Sequence, residues 1–376
     1  MLSEIILPHL TRHFSIARLN HCLFYEWNPK KNRVTESGKF DKKWSRVMLL
    51  ISWGYVFLQI IGLSISSAIP AEKIFPATLT YLYIACSALG LEWGTDSANV
   101  QLMNIVYASE ERSWEDCRGN GKILATIVNL TYSLANFSAY VAFPPGIVVM
   151  LAILPCQAPL LGYLLFWGDE CSRPLFQSDP GVMFIFRMVL LLVEFVQICR
   201  HVVVAAHYAI YVVLSGILYF WEETTKILRF PYSTEGYRDL QVLESVLNAS
   251  IRFRIFPTVL FLAPTMEILA TFACIKYHDA MGGMQIQLLL IVLLALNATV
   301  LNVLYCTGAG IVCRKSGEYL RDMKGRVKRK VEKKLLKSYA PLKVRFGSNF
   351  MDELTPLVIQ QFCSAQTANL LLLSYK

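Results

Sequence analysis

The feature that most limits how this chain can fold is a series of apolar stretches, most of them near twenty residues long. They run Val47–Ile69, Ile74–Leu91, somewhere within Ile123–Trp167, Met183–Phe220, Phe256–Lys276, Gln287–Cys313 and Leu354–Leu373. About twenty helical residues at 1.5 Å each cover the ~30 Å hydrocarbon core of a bilayer. Lipid offers no partner for backbone N–H and C=O groups, so such stretches cross as helices. Composition agrees, with 55% hydrophobic and 17% charged residues and a mean hydropathy of +0.44. The fold class is all-α, a polytopic membrane protein, and 376 residues leave no room for a large soluble domain beside the spans.

The stretch Ile123–Trp167 is ambiguous, because Pro144-Pro145, Pro155 and Pro159 interrupt it. Loop charges choose between one span and two. With one span, Lys and Arg number nine in residues 1–46, three in 92–122, five in 221–254 and thirteen in 314–345, thirty in all on one side. The other side has Lys73, Arg173, Lys276 and Lys376. An eighth span would move eighteen of the thirty across. The positive-inside rule therefore predicts seven spans, with the N-terminus cytoplasmic and the C-terminus extracellular. It also explains the net charge of +9 without nucleic acid. The early apolar residues Ile5, Ile6 and Leu7 are too few for a cleaved leader. The expected division is a cytoplasmic segment 1–46, a six-helix region 47–313, a cytoplasmic basic helical anchor 314–350, and the last helix 351–376.

That last span is not uniformly apolar. Gln360, Gln361, Ser364, Gln366, Thr367 and Asn369 interrupt it, and unpaired polar groups cost free energy in hydrocarbon. The helix must face other helices or water, and it is predicted to wall a polar path. Thr355-Pro356 reads as its start, with Thr as the cap. Val358, Gln361, Phe362, Ala365 and Asn369 share one helical face, and Gln360, Ser364 and Thr367 share another that is just as polar. In the basic segment, Leu320, Met323, Val327, Val331 and Leu335 form one apolar stripe. The stripe lies on anionic lipid, or it packs against other subunits or the 221–254 segment.

Chemistry-bearing motifs are sparse. The six histidines are isolated, and no Cys-x-x-Cys, phosphate loop or dinucleotide fingerprint occurs, so no metal or cofactor is implied. Of ten cysteines, only Cys156 and Cys171 fall in or near the outer loop, the place for a disulfide. A G-protein-coupled receptor has the opposite loop parity, and neither Asp-Arg-Tyr after the third span nor Asn-Pro-x-x-Tyr in the seventh is present. A secondary transporter would also carry intramembrane carboxylates, but no internal repeat or matched pair of broken helices is visible. No His sits at catalytic spacing from Asp or Glu in a span, which gives an enzyme little support.

The C-terminal sequence KKLLKSYAPLKVRFGSNFMDELTPLVIQQFCSAQTANLLLL resembles the end of the arthropod seven-helix chemoreceptors, the gustatory and odorant receptors. The order of Pro341-Leu342, Val344, Phe346-Gly347 and Phe350 is similar to theirs. Gln361-Phe362 matches the end of the gustatory Thr-Tyr, five hydrophobics, Gln-Phe motif. Thr355-Pro356 departs from its start by one residue and lacks the tyrosine. About the last fifty residues carry the resemblance.

The resemblance implies a gustatory-type, ligand-gated, non-selective cation channel in the plasma membrane. Four like or unlike subunits would surround a pore lined by the last helix of each. A small tastant or odorant would bind in the outer half of spans two to six. There, Tyr132, Asn136 and Tyr140 on span three are candidate ligand contacts, with ordinary aromatic packing as the alternative. Glu194 and Glu267 are mid-membrane carboxylates, costly unless paired or functional, and are further candidate contacts to a polar ligand. Arg187 and Arg200 share the span of Glu194, so an internal ion pair is the alternative there.

Overall fold

The computed structural model describes residues 2–66, 73–108, 121–166, 174–175, 181–228, 234–277, 285–327 and 329–374. The chain opens with helix α1 (Leu2–Leu19), whose apolar side Ile6, Leu10, Phe14 and Ala17 is buried. The antiparallel hairpin β1 (Tyr25–Asn28) and β2 (Arg33–Glu36) follows, with Trp27 opposite Val34. Helix α2 (Lys39–Ile65) starts eight residues before the expected span. Nothing in Lys39–Arg46 breaks a helix, and Gly38 is the boundary. Helices α3 (Ile74–Leu89) and α4 (Ser97–Ala108) come next.

The ambiguous stretch holds one long helix. It comprises α5 (Gly121–Asn136), a π turn at Phe137–Ala142, and α6 (Phe143–Ile153). Pro144 and Pro145 lack N–H donors, and the widened π turn directly precedes them, so the helix continues through the prolines. Beyond Ile153 the chain folds back through the short helix α7 (Leu161–Leu165), which packs on α2. Cys156 is disulfide-bonded; its expected partner Cys171 lies outside the described residues.

The two longest helical runs among the described residues follow. Helix α8 (Val182–Ala206) continues through a π turn (His207–Leu214) into α9 (Ser215–Ile227). After α10 (Thr234–Ile251) and α11 (Ile255–Tyr277), helix α12 runs Gln285–Arg326, 42 residues or about 63 Å. The expected boundary at 313/314 therefore falls inside one helix. Helix α13 (Lys330–Ser338) and a small hairpin, β3 (Arg345–Phe346) and β4 (Asn349–Phe350), lead to the last helix, α14 (Thr355–Leu373). Among the described residues five helical runs are long and apolar enough to cross a membrane: Lys39–Ile65, Val128–Ile153, Val182–Ile227, Ile255–Lys276 and Ile286–Arg326. The other two expected spans are α3, shorter at 16 residues, and the polar α14. The chain is an all-α, multi-pass membrane protein.

The extensions of α9 and α12 meet α10 in a cluster beyond the spans. Tyr237 of α10 stacks between Tyr319 of α12, at 5.8 Å, and Tyr339, at 5.2 Å. Asn248 brackets the strand-like segment after α13, donating to Lys343 O (2.9 Å) and accepting from Arg345 N–H (2.8 Å). The apolar stripe divides here. Leu320 and Met323 are buried and Val327 is half-buried, but Val331 is 78% exposed and Leu335 is also exposed. The helix ends at Arg326 and restarts at Lys330, which resets the register and turns Leu336 inward in their place.

Candidate pore helix and buried polar sites

Helix α14 lies against α11 and α12 and buries little of itself, Cys363 and Thr367. Its start is set by Asp352 rather than Thr355. The Asp352 carboxylate accepts the N–H groups of Leu354 (3.1 Å) and Thr355 (2.9 Å) and the Thr355 hydroxyl (2.7 Å). The Thr355 hydroxyl and these N–H groups hold the Asp352 carboxyl below the usual carboxylate range. Gly310 of α12 lets the two backbones meet there, since a Cβ would come within 2.6 Å of Asp352 O.

The two polar faces of α14 separate. Val358, Gln361, Phe362, Ala365 and Asn369 are all exposed on the single chain. On the other face, Thr367 is buried and bonds Cys363 O (2.9 Å), and half-buried Gln360 donates to Glu267 Oε2 (3.3 Å); Ser364 stays exposed. Glu267, on α11, is 6% exposed and also accepts from Asn302 Nδ2 of α12 (3.0 Å). Its carboxylate therefore joins three helices and takes amide donors.

Tyr132, Asn136 and Tyr140 come together, but around α1. The Tyr132 hydroxyl bonds Ser215 Oγ. Asn136 donates to His9 Nδ1 (2.9 Å) and accepts from the Tyr211 hydroxyl (2.9 Å). Tyr140 shares a hydrogen bond with His13 Nδ1. The other nitrogen of His13 lies 3.0 Å from His207 Nδ1, and His207 Nε2 lies 2.9 Å from the Tyr25 hydroxyl. Tyr132 and Asn136 sit in α5 and Tyr140 in the π turn, near the middle of the helix that runs from Gly121 to Ile153. The histidines are not isolated: His13 and His207 are 194 positions apart in sequence and stack at 5.2 Å. Burial lowers the pKa of His13 to about 3, so its ring is neutral.

Arg200 completes this docking. Its guanidinium donates to Asn20 O (3.0 Å) and His21 O (2.8 Å) at the end of α1, and to Ser52 Oγ (2.8 Å) on α2. The expected ion pair with Glu194 is absent from these contacts. Glu194 instead accepts the Tyr55 hydroxyl and the Leu161 N–H (2.7 Å), tying α8 to α2 and to the folded-back loop. Around it lie Tyr83, 5.3 Å from the Tyr55 ring, and His201, 4.7 Å from Tyr83 and hydrogen-bonded to Ser87 Oγ (3.0 Å). Sequence reading missed Tyr83 and His201; each is one polar residue on an apolar helix, and no spacing marks it. A cavity of about 480 Å³ lies beside α4, lined by Glu36, Thr95, Ser97, Gln101 and Asn104 among others, none of them expected site residues.

No family model matches the sequence, and no curated relative matches it. Solved structures do. The insect olfactory receptor OR5 from Machilis hrabei, in complex with eugenol, superposes with a TM-score of 0.60 at 13% identity, covering 99% of this chain and 99% of that one. A second structure of the same receptor gives 0.58 at 13% identity, covering 98% and 99%. The likeness spans the amino-terminal helix, the long spans, the cluster beyond them and the last helix alike. Over nearly its whole length, the chain has the fold of this insect olfactory receptor.

Proposed function

We propose that this protein is a gustatory-type chemosensory receptor that works as a ligand-gated, non-selective cation channel. The observation that carries the reading is the end-to-end fold match to a receptor whose structure holds the small aromatic odorant eugenol. The last helix supports it, with one polar face bonded inward and a second face, centred on Gln361 and Phe362, left bare by its own chain. In this reading four subunits place those faces around one pore. The N-terminus is cytoplasmic, seven helices span, and the α9–α10–α12 cluster with α13 anchors the assembly from below. Rings of Gln361 amides would replace part of an ion's hydration, and rings of Phe362 would close the path by dewetting.

The five candidate ligand residues divide. Asn136 and Tyr140 spend polar groups on His9 and His13 of α1, so their role is to hold the amino-terminal segment, while the Tyr132 hydroxyl is spent on Ser215 of α9. Glu194 keeps a ligand-facing role, at the junction of α2, α8 and the folded-back loop. Glu267 serves the last helix. Whole-cell recording from cells expressing the chain, with eugenol and a panel of small tastants as probes, tests the channel. Evoked, non-selective cation current supports it. Saturable uptake without current would make the protein a transporter.

A further inference from the structure

The strongest unexplained group outside the pore face is the Glu267 carboxylate. It is buried between α11, α12 and α14, where an unpaired charge is costly. It accepts from two amides, Asn302 of α12 and Gln360 of α14, and the Cys363 thiol of α14 lies beside it. Asn302 is itself 1% exposed, and its Oδ1 has no partner among the described residues, so the Asn302 amide is held by Glu267 alone. The rest of α14 is thinly attached. Cys363 offers only a weak S–H donor to Pro264 O at 3.9 Å. Lys276 reaches Ser374 O at the far end (3.1 Å), and the exposed Arg314–Glu353 pair (3.1 Å) lies at the near end. Between these ends, the Glu267–Gln360 bond is a polar tie on the side of α14 that faces its own bundle.

We propose that Glu267 is a positioning residue of the last helix, a latch that holds α14 through Gln360 and α12 through Asn302 in the ligand-free arrangement. The proposal rests on the channel reading. Ligand-driven movement of α11 against α12 breaks the latch, and the bare face of α14 then turns away from the closed position. Gln360 points about 100° around the helix from Gln361, toward α11, so the latch controls opening and leaves ion choice alone. A hydrogen bond to a charged group is strong enough to shift a two-state equilibrium by about tenfold or more.

The test is ligand-free current, normalised to surface protein, with reversal potentials measured alongside. Gln360→Glu sets two carboxylates against each other and should raise basal current about tenfold with an unchanged reversal potential. Adding Glu267→Gln restores an amide–carboxylate pair with roles exchanged and should bring basal current back to the wild-type level. A merely structural lesion would not be rescued this way. Gln360→Leu removes the donor without adding charge and should raise basal current by a smaller factor, which covers poor folding of the glutamate variant. Wild-type basal current in Gln360→Leu and Gln360→Glu, or no rescue in the double variant, overturns the latch. Phe362→Ala separates the two ideas. If it conducts without ligand while the Gln360 variants stay silent, the channel stands and the latch is wrong. If it too reaches the surface and is silent, the channel reading fails and the latch falls with it.

Discussion

The first and last helices are nearly the same length, 18 and 19 residues, and they are held in opposite ways. Helix α1 buries a full apolar stripe, its histidine joins His207 and Tyr140, and Arg200 caps its last carbonyls. Helix α14 buries two residues and leaves Val358 61% and Phe362 53% exposed. The first is complete within one chain. The second is a surface that acquires its environment from outside its own chain, whether lipid, water or another chain. The same α-helical chemistry thus produces a fixed joint at one end and a wall at the other.

The contrast breaks most sharply at Arg200. Arg200→Ala leaves two α1 carbonyls and the Ser52 hydroxyl without their donor, at a cost of about 3 kcal/mol or more. We expect surface protein to fall severalfold. Arg200→Lys should not restore it, because an ammonium lacks the planar fork that reaches three acceptors. Normal yield of both variants would mean α1 is not held as tightly as the comparison requires.

Assembly is the counterpart on the other side. Val331 is exposed on its own chain and, in the proposed tetramer, would meet another subunit. Val331→Glu should lower oligomer yield on a native gel, and the same change at Val327, which is half-buried on its own chain, should reduce monomer stability as well. If yield holds and only membrane-surface association falls, α13 lies on lipid.

A smaller effect comes from pH. The docked His13 ring is neutral, with its pKa lowered to about 3, against about 6.5 for a free imidazole. Above about 6.5 both states are neutral and docking does not change with pH. As pH falls below that, the undocked ring takes up a proton and the docked one does not, so docking weakens progressively toward about pH 3. A spin label at exposed Leu19 (Leu19→Cys) should gain mobility between about pH 7 and about pH 5, and His13→Phe should flatten the response. An unchanged label mobility in the parent would show that His13 is not part of the joint.

How much of this was legible follows from the range of the interactions. The long spans are local properties of hydropathy, and so is the one-helix solution at Ile123–Trp167, because loop charge decides it. The α1 joint is not local: His13, Tyr140, Arg200 and His207 meet across more than a hundred positions, and each alone resembles an ordinary polar residue in an apolar helix. The stripe through Leu335 is divided because one helix ends at Arg326 and the next starts at Lys330, a change of register that periodicity alone does not reveal. The two faces of α14 were both visible in the spacing. What sequence could not provide was the carboxylate at Glu267, which occupies one face and leaves the other bare.

That division gives the most direct test of the account, which is that the bare face of α14 lines a cation pore. Reversal potentials under biionic conditions, with calcium on one side and a monovalent cation on the other, compare Gln361→Glu with Gln360→Glu. Four carboxylates at position 361 should shift the reversal potential toward divalent permeability, while the 360 variant should leave it unchanged. A shift from Gln360→Glu with none from Gln361→Glu would put the wrong face on the pore. No shift from either, with both variants at the surface and conducting, would mean that this helix does not line the pore at all.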